Sequence, residues 1–295
     1  VKALEVVRAG ALTTVQDLGR PGYAHLGVPR SGALDTGARG LANRLLGNPP
    51  GAAVLETTLD GVGLRAVGGA VTVAVTGAPC AVRVCGRPAA WGAPVLLRAG
   101  EELEVGRAES GVRGYVAVRG GFAVEPVLGS RSTDLLSGLG PPVLAAGALL
   151  PVGAPGPDPD PVAGVDGLAA PGPPSELVLP LRLGPRADWF TAESVTGRLL
   201  RATYRVSAAS NRIGLRMEGP GLVRAEGGGR SGRRELPSEG MVLGAVQVPP
   251  DGQPVVFLAD HPVTGGYPVV GVVVGSALDA AAQVGPGGAV RFVRR

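Results

Sequence analysis

Charged and amide side chains gather in four segments of this chain that are otherwise apolar or rich in glycine. In 207–219, SAASNRIGLRMEG, residues Asn211, Arg212 and Arg216 stand beside a strand-like run. They lie in a window, 201–235, that carries eight arginines against three glutamates. Guanidinium offers a planar fork of donors, so this excess suits a carboxylate, phosphate or bicarbonate group. A solvated hairpin is the plainer reading of 224–234. In 238–249, SEGMVLGAVQVP, Glu239 precedes an apolar strand and Gln247 interrupts its far end. The Gln247 amide faces away from Val246 and Val248, either to solvent or into a cleft. In 259–271, ADHPVTGGYPVVG, Asp260 beside His261 could set an imidazole tautomer, and Gly265 and Gly266 could present N–H groups to an anion. Strand neighbours face opposite sides, so Thr264, Gly265, Gly266 and Tyr267 read better as a ligand-binding turn than Asp260–His261 does as a dyad. The fourth segment, 14–35, TVQDLGRPGYAHLGVPRSGALD, holds Gln16, Asp17, Arg20, His25, Arg30, Ser31 and Asp35. It is either a long loop held by Asp–Arg pairs, with Ser31 capping a helix, or a ligand or partner loop placed by rigid turns.

Other chemistries are excluded by residue type. Lys2 is the only lysine, so there is no P-loop and no buried amine for a Schiff base. His25 and His261, the only histidines, show no metal-ligand spacing with carboxylates or thiols, and no metal is expected. Cys80 and Cys85 fall in one strand-like run and point to opposite faces, about 17 Å apart at strand rise, too far to bridge. Two unpaired thiols and no visible signal peptide read as cytoplasmic.

These groups must be positioned by many short elements. Gly (50) and Pro (28) are abundant among the 295 residues, yet 45% are hydrophobic and 18% charged, with a mean hydropathy of +0.25. Such a chain can bury enough surface to offset its ordering entropy, so glycine and proline punctuate β-structure. Apolar runs are short and broken by glycine, far below the roughly 20 residues of a membrane span. A net charge of +4 with only 3% aromatics favours anionic small molecules or an acidic partner over nucleic acid. Turn residues recur every 8–12 positions over 61–124, the spacing of a barrel or sandwich. A helix is predicted over 31–48, capped by Ser31, with Leu34, Leu41 and Leu45 on one face. Others are predicted over 186–200 and, capped by Ser276, over 276–283. The segment 151–175 is rich in proline and glycine and reads as a linker. It divides the chain into 1–150 and 176–295, two β-rich domains with few helices.

The polar segments, in their order, resemble the family of carboxyltransferase-like proteins that holds allophanate hydrolase subunit 2 and the C-type subunit of 5-oxoprolinase. The resemblance rests on TVQDLGRPGYAHLGVPRSGALD, GNPPGAAVLETTLDG, GGFAVEPVLGSRSTDLLSGLG, SNRIGLRMEGP, SEGMVLGAVQVPPDGQPVVFLAD and TGGYPVV. It covers most of the chain outside the linker. It implies a mainly β fold of two cyclophilin-like β-barrels with a few short helices, and no prolyl-isomerase activity follows from that architecture. Many relatives read Arg-Gln-Thr-Thr where this chain has His261-Pro262-Val263-Thr264, and often carry a lysine where Val269 stands.

The resemblance further implies an enzyme subunit inactive alone, working with a first, B-type subunit and possibly a third hydrolase subunit. Such complexes open 5-oxoproline to glutamate at the expense of ATP, whose site this chain does not locate. Fused relatives pass a carboxyl group from carboxybiotin to urea, so biotin belongs to that alternative. A third reading is a regulatory binding protein that antagonises a kinase inhibitor without turnover. On the enzyme readings, Arg212, Arg216 and the Gly265 and Gly266 amides would stabilise developing negative charge. Asn211, Gln247, His261, Thr264 and Tyr267 would hold the small amide or lactam, and Glu239 or Asp260 would be the general base. Neither nucleic acid nor membrane is expected as a partner.

Overall fold

Alternation builds the strands. Along Ala3–Arg8 the side chains of Leu4 and Val6 turn inward and are fully buried, the two-residue period of a strand with one covered face. The computed structural model describes residues 2–156, 176–225 and 236–295. The chain forms two units, one of Val1–Arg20, Ser31–Asp134 and Gly138–Pro173, the other of Pro21–Arg30, Leu135–Ser137 and Pro174–Arg295.

In the first unit a six-stranded sheet runs in the order Leu149–Pro151, Ala3–Arg8, Gly63–Val67, Glu102–Ala108, Cys80–Val84, Arg87–Ala89. A five-stranded sheet runs Leu12–Gln16, Val54–Thr58, Arg113–Val118, Val71–Gly77, Pro94–Leu97. Leu4, Leu64 and Leu103 from one sheet and Val15, Leu55, Val73 and Val116 from the other share a single core, as packed sheets do. Among the described residues neither sheet closes, so of the two expected barrels this unit does not supply one. Regularly spaced short strands fit both outcomes, because closure depends on pairing between segments distant in sequence.

The outer face of the five-stranded sheet is covered by the helix Thr36–Leu45, whose Ala42 and Leu45 pack on Val54, Ala74, Tyr115 and Ala117. Covered on both sides, Arg113–Val118 is buried at every position. Asp35, not the expected Ser31, caps this helix: its carboxylate accepts the Ala38 N–H at 2.8 Å. Ser31 lies too early in the chain, with φ 55° and its hydroxyl donating to the Thr133 carbonyl at 3.0 Å.

Beneath the cap sits a buried polar network. The Tyr115 hydroxyl donates to Glu56 Oε2 at 2.9 Å and accepts the Asp35 N–H at 2.8 Å. Glu56 Oε2 also accepts the Leu34 N–H at 2.8 Å. Burial first, and then the charges of Glu56 and Asp35, hold the phenol well above its usual range, so it serves as a permanent donor. Tyr115→Phe is therefore expected to cost about 1–3 kcal/mol, since buried partners lose their bonds while the ring's packing survives. Urea denaturation checks this; an unchanged midpoint would show that the network is dispensable.

The second unit contains a closed seven-stranded barrel: Leu177–Leu183, Val269–Val273, Ala245–Gln247, Val255–Phe257, Gly214–Glu218, Thr203–Val206, Ala289–Arg294. Parallel pairing of the first and last of these, from Leu177 opposite Val290 to Leu181 opposite Arg294, shuts the ring. Leu179, Leu181, Val246, Val256, Val290 and Phe292 fill it without exposure, and Tyr204 meets Phe292 edge-on with ring centroids 5.8 Å apart. The helix predicted over 186–200 is instead a 3-10 turn, Ala187–Trp189, and a π-helix, Glu193–Leu199. The last predicted helix resolves into a 3-10 turn, Gly275–Ala277, that contains Ser276, followed by Leu278–Ala281.

The segment expected as a linker starts late. Leu149–Pro151 pairs with Ala3–Glu5, and Val152 bridges Phe122; a proline is tolerated there because the strand lies at a sheet edge. Residues 157–175 lie outside the described residues, as do Arg230, Arg233 and Arg234 of the arginine-rich window. No helix among the described residues is long and apolar enough to cross a membrane.

Candidate functional site

Of the residues singled out in the second unit, Arg212 and Asp260 meet. Arg212 Nε donates to Asp260 Oδ2 at 2.9 Å and Nη2 to Oδ1 at 3.0 Å, with neither side chain exposed. Asp260 Oδ2 also accepts the Leu135 N–H at 3.2 Å. A forked pair with both carboxylate oxygens engaged and no access to water is a structural brace, not a base or an oxyanion donor. Two sequence expectations are thereby reassigned. Asn211 is a turn-former, its Oδ1 accepting Ile213 N–H at 2.9 Å and Gly214 N–H at 3.4 Å. Arg216 points to solvent from the strand Gly214–Glu218.

The remaining candidates converge on a two-stranded ribbon, Glu239–Gly240 against Thr264–Gly265. Glu239 lies opposite Gly265 and Gly240 opposite Thr264. The Glu239 carboxylate is gripped by Arg186, whose Nε lies 3.1 and 3.3 Å from its two oxygens and whose Nη2 also bonds Oε1. The Arg186 hydrogen bonds hold the carboxyl below its usual range, partly opposed by burial. The Arg186 guanidinium in turn lies 5.9 Å from the Trp189 ring centroid. This grip spans 53 residues of sequence and escaped sequence reasoning.

Gln247 sits behind the ribbon, buried, with Nε2 donating to the Tyr267 carbonyl at 3.2 Å and 3.8 Å from Met241 Sδ. Neither Gly265 nor Gly266 adopts the left-handed conformation of an anion-binding nest. Gly265 is glycine for another reason: a Cβ there would lie 2.6 Å from Gln247 Nε2 and 3.3 Å from Met241 Cγ. Gly265→Ala should displace that amide and cost about 1–3 kcal/mol by overpacking. A shift of the Gln247 side-chain NH2 resonances together with a lowered melting point tests it; two unchanged readouts would remove the contact. Thr264, Gly266 and Tyr267 are exposed along the ribbon's outer edge. His261 is buried, its ring stacked on Phe257 at 5.9 Å. Its Nδ1 lies 2.7 Å from the Pro262 carbonyl, a contact that requires the proton on Nδ1.

In the first unit Asp17 is a hub. Its Oδ1 accepts Gly19 N–H at 2.8 Å and the hydroxyls of Ser130 and Ser132 at 2.6 Å, while Oδ2 accepts Arg131 N–H at 2.6 Å. Gln16 Nε2 donates to Thr133 O at 2.9 Å, and Arg20 donates to the Ser132 carbonyl. Gln16, Asp17, Arg20 and Ser31 thus share one knot with 130–133, and Asp35 caps the helix. Arg30 is exposed and belongs to the other unit. The knot ties two distant loops through buried partners, and the serines of GSRSTD are its unforeseen half.

Among the described residues no group of three or more His, Cys, Asp or Glu could hold a metal ion. Cys80 and Cys85 are unpaired, and burial pushes the Cys80 thiol up to about 11, which leaves it inert at neutral pH. A triphosphate finds no cradle in these residues: the stem of Lys2 lies against Gly69 and the paired glycines form no nest.

Residues 26–294 match the family described as carboxyltransferase domain, subdomain A and B. The chain belongs to that family. Within it, the C-type subunit of 5-oxoprolinase from Escherichia coli is 36% identical over 99% of this chain and 91% of its own length. Urea amidolyase of Lachancea kluyveri is 33% identical over 99% of this chain, which spans only 17% of that protein. In three dimensions the carboxyltransferase-family chain superposes on the Kluyveromyces lactis urea carboxylase with a TM-score of 0.87 at 30% identity, covering 99% of this chain and 27% of that one. The TTHA0988 crystal structure gives a TM-score of 0.86 at 35% identity, with 99% of this chain and 55% of that one covered.

Proposed function

We propose that this chain is the C-type subunit of a cytoplasmic, ATP-dependent 5-oxoprolinase, each of its two units a cyclophilin-like module. It works with a B-type partner subunit and a third, hydrolase subunit to open the lactam to glutamate. The observation that carries this reading is the 36% identity to the C-type 5-oxoprolinase subunit, which extends over nearly the whole of both chains. In this reading the ribbon is the substrate lip. Glu239, kept ionised by Arg186, accepts the lactam N–H; Thr264 and Tyr267 border the ring, and Gln247 fixes the ribbon from behind. ATP does not fit the described residues of this chain, and no step here depends on it.

The test is ADP release by this chain co-purified with its two partner subunits, with and without 5-oxoproline. Lactam-stimulated release that disappears when this chain is omitted supports the reading. An intact complex with no lactam response overturns it.

A second reading, a carboxyltransferase acting on urea or a related amide, is favoured by the 30% identity and 0.87 TM-score to the urea carboxylase. It requires that turnover depend on carboxybiotin. Stable partner binding without turnover of either kind would instead favour a regulatory role.

A further inference from the structure

A cleft of about 570 Å³ opens in the second unit, away from the ribbon, between the π-helix, the segment 221–224 and the turn 249–252. None of Glu239, Gln247, Thr264 or Tyr267 lines it. Its size falls within the range of small-molecule sites, roughly 300–1,000 Å³. Its apolar surface comes from Phe190, Leu222, Pro249 and Pro250, and its charges from Arg198, Arg224 and Asp251.

The walls are fastened to one another. The Ser194 hydroxyl accepts the Val223 N–H at 2.8 Å and lies 3.3 Å from the Val223 carbonyl. Phe190 bridges Arg224 by backbone pairing, and Leu222 N–H reaches the Gly252 carbonyl at 2.9 Å. Gly252 must be glycine there: its φ is +76°, and a Cβ would lie 2.8 Å from the Leu222 carbonyl oxygen. Arg198 is delivered by a π-helix, Glu193–Leu199, a geometry found often at functional sites.

The donors are available. Arg198 spends Nη1 on the Gly221 carbonyl at 2.7 Å and keeps its other N–H groups open. The Arg224 guanidinium makes no hydrogen bond or ion pair among the described residues. Asp251 directs Oδ1 to the Gln253 N–H at 3.0 Å, which turns part of its charge back into its own turn.

We propose that this cleft binds a small organic anion, a carboxylate on a short apolar body, with its charged end between Arg198 and Arg224. The body would lie against Phe190, Leu222 and the two prolines. Two guanidiniums outweigh one carboxylate, and their forks match an oxyanion.

The test is calorimetric and NMR titration of the full chain with hexanoate, and in parallel with inorganic phosphate. Saturable hexanoate binding in the millimolar range or tighter, weakened about tenfold or more by Arg224→Gln, is expected. Asp251→Asn should tighten it by removing a like charge. Arg224 braces nothing among the described residues, so its substitution leaves the walls intact where Arg198→Gln could loosen them. Absence of saturable binding, or affinity unchanged in Arg224→Gln, overturns the site. Phosphate binding as tightly as hexanoate would overturn the apolar-body assignment.

Discussion

Asp260→Ala is expected to destabilise the second unit by about 3–5 kcal/mol, because it strands a guanidinium in the interior. Arg212 has no exposed surface, so once its partner is gone water cannot solvate it without local opening. The Leu135 N–H loses an acceptor in the same stroke. Arg212→Ala should cost a similar amount by leaving the carboxylate alone. Replacing both members with apolar residues of matching volume should recover much of the loss, as buried pairs often contribute little beyond an apolar substitute. Trp189 lies in the second unit and Trp91 in the first, so urea unfolding followed by fluorescence in a Trp91→Phe background reads the relevant unit. A loss below about 1 kcal/mol for either single substitution would place the pair among the weak surface bridges. Reduced activity in Arg212→Ala follows here from the fold, and it would not identify Arg212 as a ligand for substrate.

That reassignment shows what the sequence can and cannot carry. Alternation made Ala3–Arg8 and Leu177–Leu183 readable as strands, since each position's environment is set by its nearest neighbours. The helix Thr36–Leu45 was readable too, but two residues in its approach, Ser31 and Asp35, could cap it. The choice fell to Asp35 because Ser31 is drawn to Thr133, 102 residues away. Closure of the barrel rests on parallel pairing between its first and last strands, and no local period encodes that. The chemistry of the candidate residues behaves alike. Arginine, aspartate and glycine were chosen correctly as types able to bind anions, yet type does not reveal commitment. Arg212 is consumed by Asp260, Asp17 by Ser130 and Ser132, and Gly265 makes room for Gln247. Only the structure separates these braces from Glu239, whose partner Arg186 came from a segment read merely as the start of a helix.

Glu239→Gln is expected to lower lactam-stimulated turnover of the assembled complex by about 100-fold or more, the scale of losing a positioned proton acceptor. The substitution keeps the side chain's shape and the Arg186 contact can persist through the amide oxygen, so folding and assembly should be unaffected. The pH dependence makes a sharper test. Hydrogen bonds from Arg186 depress the Glu239 carboxyl in the folded state. A depressed carboxyl is fully ionised above its unfolded value, and its charge is lost only as pH falls through the lower, folded value. The acid limb of turnover should therefore lie below the ordinary glutamate range, about 4.3. Arg186→Gln removes the grip and should move that limb upward toward the ordinary value, while Arg186→Lys, a point charge without the fork, should restore it in part. A carbon-13 titration of the Glu239 carboxyl in the chain alone reads the same shift without any turnover. If that titration moves in Arg186→Gln while the acid limb stays fixed, Arg186 still grips Glu239 but Glu239 does not accept the proton in catalysis. If neither moves, the grip itself is absent in solution, and the ribbon must be held by Gly265 and Gln247 alone.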